Sequence, residues 1–216
     1  MMSQEYPATT LLLIRHAQAR AAGSSHYGPD TPIGQLGRLQ VAALVSRLAA
    51  AAPPAAVYTS PLPRAVQTAS PVCEQLGLET VLDPRLTEFE LGTQEIEIIL
   101  ERPDLLIWHP EHFAADGETL REFSARVAAF CDDVVERHPD ERVAVVSHAG
   151  TIDATLLWAL GITPDSPWQQ EFEVANASIT ELEFWPRGRI QSGASRYAVL
   201  RRVGDVTHLN DIVSEI

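Results

Sequence analysis

Two short apolar runs in this chain stop at a histidine. Thr10 to Ile14 (TLLLI) ends against Arg15-His16-Ala17, and Arg142 to Val146 (RVAVV) ends against Ser147-His148-Ala149. An imidazole can attack as a neutral nucleophile or carry protons near neutral pH. An arginine beside it offers rigid paired donors to an anion. One histidine at a strand end is commonly structural; two at matching positions, with Arg15 alongside, point to a shared site. Both segments must then be neighbouring strands of one sheet, because ligand crevices in open α/β sheets lie beyond the carboxyl ends of the strands.

The rest of the chain reads as the scaffold for such a sheet. Runs this short and apolar on both faces suit buried parallel strands. Helical spacing follows from Ile33 to Ala52 (Leu36, Leu39, Ala43, Leu44, Leu48) and stops at Pro53-Pro54. Ala55 to Thr59 reads as a strand, Pro61 to Leu76 as a helix closed by Gly77, and Thr80 to Leu82 as a short strand before Asp83-Pro84. Glu118 to His138 carries an apolar stripe (Leu120, Phe123, Val127, Phe130, Val134) and reads as a helix, as does Thr151 to Leu160. Ser178 to Phe184 alternates, and Tyr197 to Val203 is expected to pair with it as an antiparallel edge. Residues 89–117 lack clean periodicity and are read as a mainly helical excursion over the active site. Strands alternating with helices predict a three-layer α/β/α sandwich with a mostly parallel central sheet and an antiparallel edge, in a single domain over residues 1–216.

Composition narrows the partners. The formal net charge is −13, from 29 acidic and 16 basic side chains. Such a balance disfavours nucleic acid and anionic membrane, and it requires any anion site to gather its arginines locally. Cys73 and Cys131 are read as buried thiols in a reducing compartment. Met1 to Thr10 has no signal-peptide pattern, so a cytoplasmic location is expected.

In this order along the chain, the motifs resemble the histidine phosphatase superfamily, the phosphoglycerate mutase-like clan. Arg15-His16-Ala17-Gln18 is similar to its Arg-His-Gly signature. The segment from Asp30 through Gln40 is similar to a Leu-Thr-x-x-Gly-x-x-Gln-Ala segment. Ser60-Pro61-Leu62-Pro63-Arg64-Ala65-Val66-Gln67-Thr68-Ala69 is close to Ser-x-Leu-x-Arg-Ala-x-Gln-Thr-Ala, and Arg85-Leu86-Thr87-Glu88 matches Arg-Leu-x-Glu. Ser147-His148-Ala149-Gly150 matches the second histidine motif, and Asn176-Ala177-Ser178-Ile179 its Asn-x-Ser motif.

The resemblance implies a metal-independent phosphatase without a cofactor. His16 would be the nucleophile, attacking with one ring nitrogen while the other bonds a backbone carbonyl. Glu88, preferred over Glu90 by its motif, would be the acid and base. Arg15, Arg64 and His148 would bind the phosphoryl group, His148 in its charged form once phosphate is bound. Gln18 and Ala149 would face the substrate, a small phosphorylated metabolite. A homodimer is compatible with this reading.

Two other readings stand beside it: a cofactor-dependent phosphoglycerate mutase, and a weakly catalytic module that binds phosphorylated ligands. Ala19 to Ser25 lacks the asparagine that mutases carry, and the stretch between Glu88 and Glu118 is short for their insertion. Water as the acceptor is therefore favoured. Ala17 and Ala149 stand where the family has glycine, a methyl group that ordinary backbone tolerates. His109-Pro110-Glu111-His112 is read as a rim loop, not a metal site. Trp108, Trp158, Trp168 and Trp185 are read as packing residues, and Thr207-His208-Leu209 as a tail packed on the domain.

Overall fold

The computed structural model describes residues 8–19, 28, 30–90, 117–185, 197–210 and 212. Its elements are β1 (Thr9–Arg15), α1 (Gln35–Ala49), β2 (Ala56–Thr59), α2 (Pro63–Leu76), β3 (Thr80–Leu82), a 3-10 turn (Pro84–Leu86), α3 (Leu120–Arg137), β4 (Arg142–Ser147), α4 (Ala149–Ala159), β5 (Ile179–Trp185) and β6 (Tyr197–Asp205). The expected excursion, with Trp108 and His109 to His112, lies almost wholly outside the described residues.

The strands form one six-stranded sheet in the order β3-β2-β4-β1-β5-β6. β3, β2, β4 and β1 run parallel, while β5 is antiparallel to β1 and β6 antiparallel to β5. Alternation along β1 shows why its central residues, Leu11 to Ile14, are all apolar. Leu11 and Leu13 pack with Phe123, Phe130, Ile152 and Leu156 on one face. Leu12 and Ile14 pack with Leu44, Leu48, Ala65 and Val72 on the other. Both faces are covered, α1 and α2 on one side and α3 and α4 on the other, so neither can be polar. This is the expected three-layer arrangement with its antiparallel edge.

Local signals end the helices. Gly77 takes the left-handed conformation (φ 68°) that closes α2. Thr119 and Glu122 form a reciprocal capping box at the start of α3. Helix boundaries move by up to three residues, to Gln35–Ala49, Pro63–Leu76 and Leu120–Arg137; the shift that touches the site is that α4 begins at Ala149, immediately after His148, and not at Thr151. Cys73 and Cys131 are buried free thiols in α2 and α3, and Trp158 and Trp168 are buried in the core. Leu209 is fully buried and His208 Nε2 bonds the Ala177 carbonyl at 3.1 Å, so the tail packs as expected. Among the described residues no helix is long and apolar enough to cross a membrane.

Candidate active site

The parallel pairing of β1 with β4 sets Arg15 directly beside Ser147. Each chain then takes one step off the sheet, and His16 N donates to the Ser147 carbonyl at 2.8 Å. The two imidazoles meet edge-on with centroids 5.1 Å apart. A backbone ladder, not side-chain flexibility, sets their separation. The two histidines that end their strands are therefore brought together.

His16 is held from both sides. Its Nδ1 lies 2.8 Å from the Ala17 carbonyl oxygen, while Arg64 Nε donates to its Nε2 at 3.3 Å. Those contacts specify one tautomer: the proton is on Nδ1 and the lone pair on Nε2. Burial, followed by the charges of Arg64 and Arg15, lowers the His16 pKa to about 3 against the opposing pull of the Ala17 carbonyl. The ring is neutral at any working pH. The loop beneath it is tied down by Asn176 Nδ2 donating to the His16 carbonyl at 2.8 Å and by Ala17 N donating to Thr68 Oγ1 at 3.0 Å.

The arginines come from separate elements. Arg64, in the first turn of α2 and 5% exposed, also donates to the Gly28 carbonyl at 3.4 Å. Arg15 Nη1 donates to the Val174 carbonyl at 2.6 Å. Both cations act on His16, His148 and Glu88 alike, so this acidic chain does concentrate positive charge at one point.

His148 is the N-cap of α4. Its Nε2 lies 2.8 Å from the Ser60 hydroxyl, which also accepts from Leu62 N at 3.3 Å. Its buried Nδ1 meets no hydrogen-bond partner among the described residues. Burial, then His16 and the arginines, pushes its pKa well below the usual imidazole range. His148 is therefore uncharged at neutral pH, and a bound anion would have to supply the charge that favours its protonation.

Glu88 reaches the site from the loop after the 3-10 turn. Its Oε1 accepts from Phe89 N at 3.0 Å and its Oε2 from Gly150 N at 3.2 Å. Loss of water raises its carboxyl pKa despite those two donors and the arginines. The loop itself is laced to the core. Arg126 of α3 donates to the carbonyls of Arg85, Thr87 and Glu88 and pairs with Glu118. Ser147 Oγ donates to the Leu86 carbonyl at 2.7 Å and Thr151 Oγ1 to the Thr87 carbonyl at 3.1 Å.

Gln18 sits on the loop that follows β1, and Ala149 is the first residue of α4. Gln18 N donates to Gln40 Oε1 at 2.8 Å, and its carbonyl accepts from Gly34 N at 2.8 Å. A Cβ on Gly37 would overlap that same carbonyl, which explains why α1 carries glycine there. Ala149 is half-buried against the core. Sequence reasoning assigned no site role to Ser60, Thr68, Gly150 or Asn176, although each lies in a quoted motif. Arg126 lies in none, because its partners are backbone carbonyls. Among the described residues no group of three or more His, Cys, Asp or Glu could hold a metal ion.

Beyond the carboxyl edge of an α/β sheet, two histidines and two arginines converge with a half-buried carboxyl, and the imidazole of His16 is neutral. Residues 11–195 match the profile of the histidine phosphatase superfamily (branch 1), and the chain belongs to that family. The putative phosphoserine phosphatase 2 of Hydrogenobacter thermophilus is 31% identical over 182 residues, covering 80% of this chain and 88% of its own. The probable phosphoglycerate mutase GpmB of Yersinia enterocolitica is 26% identical over 210 residues, covering 93% and 94%. The solved structure of mycobacterial glucosyl-3-phosphoglycerate phosphatase in complex with VO3 superposes with a TM-score of 0.73 at 25% identity, over 89% of this chain and 97% of that one.

Proposed function

We propose that this protein is a phosphomonoesterase that hydrolyses a small phosphorylated metabolite through a phosphohistidine on His16. Glu88 acts as general acid and then base, while Arg15, Arg64 and His148 hold the phosphoryl oxygens. The observation that carries this reading is the His16 ring, neutral and with its Nε2 lone pair turned toward the Arg64 guanidinium. Nε2 attacks phosphorus in line as the bond to the alcohol oxygen breaks, and the Glu88 proton passes to that oxygen. The Arg64 contact to Nε2 gives way, and the guanidinium turns to the phosphoryl group. Positive charge on the ring is stabilised by the Ala17 carbonyl. Water then attacks phosphorus, the Glu88 carboxylate takes its proton, and the P–N electron pair returns to Nε2.

The unpartnered Nδ1 of His148 supports a role in binding. When the Ser60 hydroxyl gives its hydrogen to Nε2, the imidazole proton sits on Nδ1, a donor that a phosphoryl oxygen would satisfy. Gln18 and Ala149 contact the alcohol portion in this reading. No metal or cofactor enters the scheme.

The phosphatase relatives favour water as the acceptor; the mutase relative favours a second reading, phosphoryl return to a phosphoglycerate. Incubation with p-nitrophenyl phosphate, with and without EDTA and beside His16→Ala, tests the first. Release that is fast, insensitive to EDTA and lost in the variant supports it. Release unchanged by the substitution removes His16 from the mechanism. Interconversion of phosphoglycerates that depends on a bisphosphate activator selects the mutase.

A further inference from the structure

Helix α4 carries one ionisable side chain that this mechanism leaves unused. Asp153 is 4% exposed and lies three residues beyond Gly150, whose amide holds Glu88, on the same side of the helix. Its Oδ1 accepts from Phe172 N at 3.0 Å. Two residues further on, the Val174 carbonyl accepts from Arg15 Nη1 at 2.6 Å. A short piece of backbone, 172–174, therefore joins the Asp153 carboxyl to the Arg15 guanidinium.

We propose that Asp153 is a positioning residue for Arg15, holding the backbone that seats the guanidinium, and that its charge state sets how strongly the site binds a tetrahedral dianion. The inference rests on the reading of Arg15 as a phosphate ligand. The charged groups that act on Asp153 are Glu171 from the segment after α4, Glu88 from the loop after the 3-10 turn, and Arg15 from β1. From α3, Ser124 and Ala128 line a small cavity with Ala154 and Leu157 of α4, Cys131 Sγ donates to Thr155 Oγ1 at 3.7 Å, and Phe123 and Val127 share an apolar cluster with α4, none of them charged.

Burial raises the Asp153 carboxyl to about 7; Glu171 and Glu88 add to the rise, and the Phe172 amide and Arg15 oppose it. It therefore changes charge within the working range. A dianion seated against Arg15 adds negative charge nearby and raises the carboxyl further. Coupling is reciprocal, so a proton on Asp153 must tighten the dianion. Ionised Asp153 draws on the field of Arg15 and repels the ligand; protonated Asp153 does neither. Affinity must fall as pH rises through 7.

Tungstate is the suitable probe, a tetrahedral oxyanion that stays doubly charged over this interval, unlike phosphate. Its inhibition constant against p-nitrophenyl phosphate hydrolysis is measured from about pH 6 to about pH 9 for wild type, Asp153→Asn and Glu88→Gln, with binding calorimetry for the slow Glu88→Gln protein. Wild-type affinity is expected to fall about fivefold. Asp153→Asn, whose side-chain oxygen still accepts from Phe172 N, is expected to bind tightly throughout, and Glu88→Gln to keep the wild-type slope. An undiminished slope in Asp153→Asn, or a slope abolished by Glu88→Gln alone, overturns the proposal. Should Asp153→Asn not fold, calorimetry of Glu88→Gln in two buffers of different ionisation heat decides. Fractional proton uptake on binding tungstate near pH 7 that persists when His148→Gln is added supports the assignment; no uptake, or uptake lost with His148, overturns it. A wild type that releases no phosphate sinks the hydrolysis reading instead, whereas an active wild type with a flat tungstate profile sinks this inference alone.

Discussion

The amide of Gly150 donates to Glu88 Oε2 at 3.2 Å, and a Cβ at that position would lie 2.5 Å from Glu88 Oε1. The carboxyl occupies the space that a side chain would fill. Gly150→Ala is expected to displace Glu88 and lower kcat about a hundredfold for alkyl phosphates, which need a proton on the leaving oxygen. Aryl phosphates with good leaving groups should lose much less. Steady-state rates on both ester classes check this, and equal losses would separate Glu88 from leaving-group protonation.

Arg126 holds three carbonyls of the loop that carries Glu88. Arg126→Met keeps a stem to pack over the Phe123 ring, which the guanidinium carbon approaches to 4.7 Å, but it removes those donors and leaves Glu118 without its partner. The expected cost is about 2 kcal/mol of stability, read from urea denaturation, together with a drop in kcat on alkyl esters.

Buried neutral imidazoles make the fold sensitive to acid. His16 takes up a proton at 6.5 when unfolded and at about 3 when folded, so the unfolded chain binds more protons between those values. Stability is fully present above 6.5 and is lost as pH falls through that window. His148 shifts in the same direction. The raised carboxyls of Asp153 and Glu88 act with the opposite sign, so the imidazole contribution is read as a difference. The stability of wild type relative to His16→Asn, from urea midpoints, should fall as pH drops through this window. An identical slope in that variant would contradict the assignment.

Ser60 orients His148 through a 2.8 Å contact. Ser60→Ala is expected to weaken inorganic phosphate as a competitive inhibitor about tenfold, since one buried hydrogen bond is worth about 1 kcal/mol and its loss frees the ring to turn. Inhibition constants at constant pH check this; unchanged affinity would show that Ser60 does not set the ring.

Much of the frame was legible because burial writes a plain signal. The cores of β1 (Leu11 to Ile14) and β4 (Val143 to Val146) are apolar at every position since both faces are covered, and their abrupt ends at Arg15 and Ser147 mark where the chain leaves the core. The start of α4 was not legible. Gly150 is a weak helix former that offsets the helical preference of Ala149, and His148 makes no side-chain capping bond, so no local capping signal announces the first turn. Tertiary context supplies it, through the strand that delivers His148. Arg126 and Asp153 were equally hidden. Their partners are backbone groups of remote segments, which any residue type could provide.

The direct pairing of Arg15 with Ser147 ties chemistry to assembly. No local hairpin or isolated helix contains this pair of imidazoles, because His16 and His148 come from segments far apart in the primary structure and meet only across a completed parallel ladder. Hydrolytic turnover is therefore an all-or-none gauge of refolding: it cannot appear before the central strands have docked, however much helix has already formed.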